Sequence, residues 1–237
     1  MSKKVLILSG SPRKNGNSDI LCDEFMKGAR DSSNEVEKIR VSTKKIAPCS
    51  GCYHCSAHGG ECAHKDDMAE VLQKMIDADV LVLASPVYFY SIDAQLKAVI
   101  DRTVARWLEV KNKEFYYIIT MADTDISSAD TTLACFRGYA DCVDGAVEKG
   151  VIIGNGVYTP GEVKTTQAMN DAYNMGKNVL KKPIGTDKAV LILLCPLFFC
   201  FTSECELLIY FMLRQRVPND TCNCGNQCEN FICNSHI

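Results

Sequence analysis

Residues 4–18 read Lys-Val-Leu-Ile-Leu-Ser-Gly-Ser-Pro-Arg-Lys-Asn-Gly-Asn-Ser. The run from Lys4 to Ser9 is short, apolar and stopped by Gly10, so it reads as a buried strand. Asn17 or Ser18 then caps a helix that runs to about Ala29. Between them lies a loop of small and hydroxyl residues. Such a loop lets backbone N–H groups close on an anion, and the helix N-terminus adds its positive dipole end. Ser9, Ser11 and Ser18 offer hydroxyls, Asn17 an amide and Arg13 a guanidinium fork, so this bend is a candidate phosphate site. The pattern is neither G-x-G-x-x-G nor a Walker A loop, which weakens dinucleotide and nucleoside-triphosphate readings. An ordinary strand-to-helix loop favours the same residue types, so the loop alone leaves that reading open.

The same alternation continues outward. Glu35–Val41, Ala78–Ser85, Glu114–Met121 and Gly150–Val157 read as four further strands. Helices fill the gaps. Met68, Val71, Leu72, Met75 and Ile76 recur at helical spacing, as do Ile92, Leu96, Val99, Ile100, Val104 and Trp107. Residues 127–148 are long enough for a helix, and Met169, Ala172, Tyr173, Gly176 and Leu180 mark the last one. Strands alternating with helices imply βαβ units and a parallel sheet covered on both faces. The expected fold is therefore α/β and doubly wound, with five strands. Its ligand belongs at the carboxyl ends of the strands, near the switch in strand order.

The chain has 237 residues, 47% of them apolar and 23% charged, which are globular values. That length suits one domain, or one domain with an appendage. A net charge of −3 gives no basic face for nucleic acid. The opening residues lack a signal-peptide pattern, so a cytoplasmic protein is expected. Fourteen cysteines in such a protein point to metal or redox chemistry more than to disulfides.

The third strand ends in Ser85-Pro86-Val87-Tyr88-Phe89-Tyr90-Ser91. Three aromatics at a strand end suit a flat heteroaromatic ring, although loop packing uses the same residues. Together, SGSPRKNGNS and SPVYFYSIDAQLKAVIDR resemble the NADPH-dependent FMN reductase group of flavodoxin-like proteins, which includes iron–sulfur flavoproteins. The resemblance covers about residues 3–180. It implies a flavodoxin-like sheet of order 2-1-3-4-5 that binds FMN. Ser9, Ser11, Arg13, Asn17 and Ser18 would hold its phosphate. Pro86, Val87, Tyr88 and Phe89 would line its ring, and Met121 and Ala122 would follow from a third loop.

A second signal is Cys49-Ser50-Gly51-Cys52-Tyr53-His54-Cys55, with Cys62 beyond, a spacing of C-x2-C-x2-C-x6-C. Four thiolates this close can hold a four-iron cluster or a zinc ion. The spacing resembles the motif of iron–sulfur flavoproteins, but cluster-free oxidoreductases of the group share it, with Asp66-Asp67-Met68 after it. Three readings stay open: a 4Fe-4S cluster, structural or redox-reactive thiols, and zinc. His54 and His64 read as surface residues. Cys22, Cys135 and Cys142 read as small buried apolar side chains. Arg102 and Arg106 read as a solvated helix face, or as contacts to a pyridine-nucleotide phosphate.

Near Lys182 the character changes. Residues 1–182 read as the domain and 183–237 as an unrelated apolar and Cys-rich tail, such as an altered or readthrough frame, poorly ordered and aggregation-prone. Its longest apolar run, about 13 residues, falls short of the roughly 20 that span a bilayer.

The resemblance implies an enzyme with FMN as cofactor and NAD(P)H as co-substrate. Electrons would pass to a small-molecule acceptor or a ferredoxin-like protein, in a homodimer or homotetramer, with no catalytic side chain assigned. The alternatives are an iron–sulfur electron carrier and a binding protein that has lost its flavin.

Overall fold

The computed structural model of the chain describes residues 2–180. The apolar runs form strands β1 (Lys4–Ser9), β2 (Glu35–Arg40), β3 (Val80–Pro86), β4 (Glu114–Thr120) and β5 (Val147–Gly154). All pair in parallel, in the order β2-β1-β3-β4-β5 expected of a flavodoxin-like sheet. Residues 183–237, read as a separate tail, lie outside the described residues.

Helices α1 (Asn17–Asp31), α2 (His54–Ala57), α3 (Met68–Asp77), α4 (Ala94–Arg102), α5 (Asp130–Asp141) and α6 (Gln167–Lys177) occupy the connections. The period of two along each strand splits the core into two layers. Leu6, Leu8, Leu81, Leu83, Phe115, Tyr117 and Ile119 pack with α3, α4 and α5. Val5, Ile7, Val80, Val82, Tyr116 and Ile118 pack with α1 and α6. The central strands, covered on both sides, are apolar almost throughout, while edge strand β2 buries only Ile39.

Helices α1 and α6 lie backbone to backbone. A Cβ at Gly28 would strike the Tyr173 carbonyl, and one at Gly176 would strike that of Phe25.

Three boundaries differ from the sequence reading. The helix expected over 127–148 occupies only Asp130–Asp141, and β5 begins at Val147, ahead of Gly150. Gly145, at φ +69°, turns the chain tightly against Asn112 between them. The first residues of β5, Val147, Glu148 and Lys149, are exposed on the sheet edge, so they lack the apolar signature of a strand. The helix expected past Val104 ends at Arg102, followed by short 3-10 turns at Thr103–Ala105 and Trp107–Glu109.

Candidate functional site

At the carboxyl end of β1 the chain bends through Gly10 into α1. Gly10 is required by contact, because a Cβ there would sit on the Asp93 carboxylate. Asp93 is buried at the N-cap of α4, where its carboxylate accepts from Leu96 N–H (2.9 Å) and Ser85 Oγ (2.8 Å). The first loop, the end of β3 and the start of α4 are thus packed around one carboxylate. Burial pushes that carboxyl above its usual range, against the hydrogen bonds it accepts.

Helix α1 starts at Asn17 behind Gly16, which contributes no side-chain cap. The first-turn N–H groups of a helix have no intrahelical partner, so they form an electropositive end. Ser11 Oγ accepts from Arg13 N–H (3.3 Å), folding the loop over that end. Below it, the buried Asp19 carboxylate accepts from Ser9 Oγ (3.3 Å), Asn15 N–H (3.1 Å) and Lys38 Nζ (2.9 Å). Lys38 balances that charge from β2.

A cleft of about 170 Å³ opens above the helix end. Ser11, Arg13, Asn17 and Ser18 line it from the first loop, Pro86, Val87 and Tyr88 from the second, and Met121 and Ala122 from the third. Nine of the eleven expected residues therefore line the cleft, and two do not: Ser9 lies beneath it, bonded to Asp19, and Phe89 is fully exposed to solvent. Asn17 and Ser18 also serve the fold. Asn17 accepts from Gly161 N–H (2.9 Å) and donates to the Thr159 carbonyl (3.1 Å), while Ser18 Oγ meets Thr120 Oγ1 at 2.6 Å.

Gly16, Thr120, Val157, Tyr158 and Pro160 complete the wall and were absent from the sequence reading. The signal for Val157, Tyr158 and Pro160 was topological: the loop after β5 reaches the same sheet end as the loops after β1, β3 and β4. Arg13 crosses to this wall, donating from Nη1 to the Tyr158 carbonyl at 3.3 Å, with its guanidinium 6.0 Å from the Tyr158 ring centre.

Residues 3–130 match the family described as NADPH-dependent FMN reductase. The chain belongs to that FMN reductase family. An iron–sulfur flavoprotein of Archaeoglobus fulgidus is 44% identical over 99 residues, covering 42% of this chain and 44% of its own length. Another, from Methanocaldococcus jannaschii, is 42% identical over 100 residues, covering 42% of this chain and 51% of its own. The matched stretch thus spans about half the length of these curated relatives. Among solved structures, an NAD(P)H:quinone oxidoreductase from Methanothermobacter marburgensis has a TM-score of 0.60 at 16% identity, covering 76% of this chain and 100% of its own. At that identity the likeness speaks for the fold.

The cleft suits the cofactor in this family's name. An uncapped helix end, a hydroxyl and a guanidinium meet at one side, as a phosphate requires. Apolar and aromatic residues of two other loops form the opposite side, as a flat ring requires.

The cysteine run sits on a separate loop between β2 and α3, closed at its neck. Ala47 N–H donates to Asp66 Oδ2 (3.0 Å), and Arg102 donates to both Asp66 oxygens (2.9 and 3.0 Å) and to the Ala47 carbonyl (2.7 Å). Arg102 is only 2% exposed, so it is neither a solvated helix residue nor free for a nucleotide phosphate. Arg106 instead pairs with Glu109 on the surface. Burial alone would raise the Asp66 carboxyl, but the Arg102 fork and two backbone N–H groups outweigh it and hold it at about 2.

Within the loop, Cys49 and Cys52 are exposed and Cys55 and Cys62 half-buried. Cys62 lines a second cavity of about 780 Å³ with His64, Met68, Leu72 and Arg102. The thiols do not converge: among the described residues no three Cys, His, Asp or Glu side chains are grouped to hold a metal ion. As the loop stands, the donor set for a cluster or zinc is not assembled, although its thiol chemistry is suitable. Backbone N–H of His54, then the Ser50 hydroxyl, draw the exposed Cys52 thiol below its usual range.

Other cysteines divide. Cys22 is buried, as expected. Cys135 and Cys142 are exposed, because α5 buries Thr132, Phe136, Tyr139 and Ala140 instead. Their spacing does put them on one face, but that face is the outer one. Among the described residues no helix is long and apolar enough to cross a membrane.

Proposed function

We propose that the chain is an FMN-dependent NAD(P)H oxidoreductase. The observation that carries this reading is the meeting of the uncapped α1 terminus, Ser11 and Arg13 with Pro86, Val87, Tyr88, Met121 and Ala122 around one cleft. In this reading the first-turn N–H groups, Ser11 and Arg13 bind the phosphate. Asn17 and Ser18 hold the helix end against the loop after β5 and the end of β4, besides facing the phosphate. Pro86, Val87 and Tyr88 orient the ring from one loop, and Met121 and Ala122 from another. FMN, when bound, supplies the redox chemistry by taking a hydride from a reduced nicotinamide and passing electrons to an acceptor. The protein supplies binding and electrostatics, so no side chain is assigned acid–base work. A homo-oligomer is part of this proposal, as is a small molecule or protein as acceptor.

A second reading is supported by the C-x2-C-x2-C-x6-C run and by relatives named iron–sulfur flavoproteins. In it, the loop rearranges so that Cys49, Cys52, Cys55 and Cys62 hold a 4Fe-4S cluster, and a ferredoxin-like protein is the natural partner. One sample tests both. Anaerobically purified protein is examined by absorbance, with iron and acid-labile sulfide assayed alongside NADPH turnover. Flavin bands with turnover and no iron support the oxidoreductase with free thiols. About four irons per chain support the second reading. Protein that takes up no FMN refutes both.

A further inference from the structure

Strand β2 ends at Arg40, and a 3-10 turn, Val41–Thr43, follows it. A cavity of about 390 Å³ opens there, lined by Arg40, Ser42, Lys44 and Ile46, by Gln95 of α4 and by Pro12 of the first loop. Pro12 stands between Ser11 and Arg13, which line the flavin cleft. The first loop is therefore a wall shared by the two cavities. The volume falls within the roughly 300–1,000 Å³ that small-molecule sites occupy.

The fold does not use the charge in this cavity. Among the described residues the Arg40 guanidinium makes no hydrogen bond, and its Nε is buried without a partner. Asp19 lies 3.7 Å from that atom, but its two oxygens are already served by Lys38 Nζ, Ser9 Oγ and Asn15 N–H. A buried orphan donor of this kind calls for an acceptor. Lys44 differs, because it is paired with Glu70 at 2.8 Å. Arg40 is thus the cation that an anion finds here. A guanidinium takes a phosphate through two parallel hydrogen bonds, and Ser42 and Gln95 add a hydroxyl and an amide.

The flavin cleft next door says which phosphate. A nicotinamide that lays its ring on the flavin must send its other half out across one of the surrounding loops. The loop after β4 carries exposed Asp123 and Asp125, which repel a phosphate. The loop after β3 has no charged side chain from Val87 to Ile92, and the first charged residue after β5 is Glu162. Arg102 is spent on Asp66. Across Pro12 lies Arg40. In α/β sheets that bind dinucleotides, a carboxylate selects a ribose 2′-hydroxyl, whereas an arginine accommodates a 2′-phosphate.

We propose that the Arg40 cavity receives the 2′-phosphate of NADPH and sets a preference for it over NADH. This deepens the flavin reading and rests on it. In the test, the full chain loaded with FMN is mixed anaerobically with either nucleotide. Loss of flavin absorbance gives each affinity and the limiting rate of reduction. The parent is expected to bind NADPH about tenfold or more tighter than NADH. Arg40→Gln is expected to remove that preference, leaving NADH affinity, limiting rate and FMN affinity within about threefold. Gln95→Glu sets a carboxylate on the opposite wall without touching Arg40 or Asp19, and is expected to remove the preference too. A parent without the preference overturns the proposal. So does a preference that survives in either folded variant, or an equal loss of affinity for both nucleotides. Calorimetric titration with adenosine 2′,5′-bisphosphate, against 5′-AMP, reads the same cavity without flavin chemistry. The bisphosphate is expected to bind the parent more tightly than 5′-AMP and to lose that advantage in Arg40→Gln; equal binding to the parent overturns the proposal. A parent that takes up no FMN sinks the flavin reading, and the titration still decides on Arg40.

Discussion

Arg13 and Ser11 differ from Ser9 and Asn17 in having side chains not committed to the packing beneath the first loop. Ser9 is held by Asp19, and Asn17 is held by Gly161 and Thr159. A charge-assisted hydrogen bond contributes about 1.5–3 kcal/mol. Arg13→Ala is therefore expected to weaken FMN binding by roughly tenfold to a hundredfold, and Ser11→Ala by less, both read by quenching of flavin fluorescence. Unchanged affinity in both would move the phosphate elsewhere. Gly10→Ala makes a different prediction. Its Cβ must displace the Asp93 carboxylate, which caps α4 and holds Ser85. Losing that cap costs about 0.5–2 kcal/mol, so urea unfolding is expected to shift by at least that much even without flavin.

At the scale of elements, the β1 loop was legible because its chemistry is local: an apolar strand, a run of small polar residues and a helix start lie within 15 consecutive residues. Arg102 was not, because its role depends on Asp66, 36 positions away in the chain and beside it in space. A helix-face reading cannot see a partner that arrives from a loop. The pair has a measurable signature. Asp66 titrates at about 2 against an ordinary 3.8, so its ionised form stabilises the fold above pH 4 and loses that contribution as pH falls from about 4 to 2. The shift corresponds to about 2 kcal/mol. Asp66→Asn is expected to be less stable at pH 7 by at least this amount, since it also leaves Arg102 buried and unpaired. The gap between parent and variant, followed by urea unfolding, is expected to narrow toward pH 2. A gap that stays constant with pH would mean that the carboxylate is not the group holding the loop neck.

For the whole molecule, the alternation of strands and helices was sufficient to give the fold class, because a parallel sheet leaves few ways to cover both faces. Its edges were harder to read: β5 enters the sheet through exposed Glu148 and Lys149, which carry no apolar pattern. Among the described residues, both apolar layers are built from residues between Val5 and Val179, and α6 covers α1. Among the described residues, the ties nearest Leu180 are the Val179 carbonyl, which accepts from Asn34 Nδ2 at 3.0 Å, and the Lys177 carbonyl, which accepts from Ser32 Oγ at 2.5 Å. A chain ending at Lys182 keeps all of them. It is expected to remain soluble, to melt within about 3 °C of the full chain (a change under about 1 kcal/mol), and to bind FMN with the same affinity. A chain ending at Thr166 removes α6 and uncovers Phe25, Cys22 and Ala29, so it is expected to aggregate. If the Lys182 chain instead lost FMN or melted much lower, residues 183–237 would belong to the working protein rather than stand apart from it.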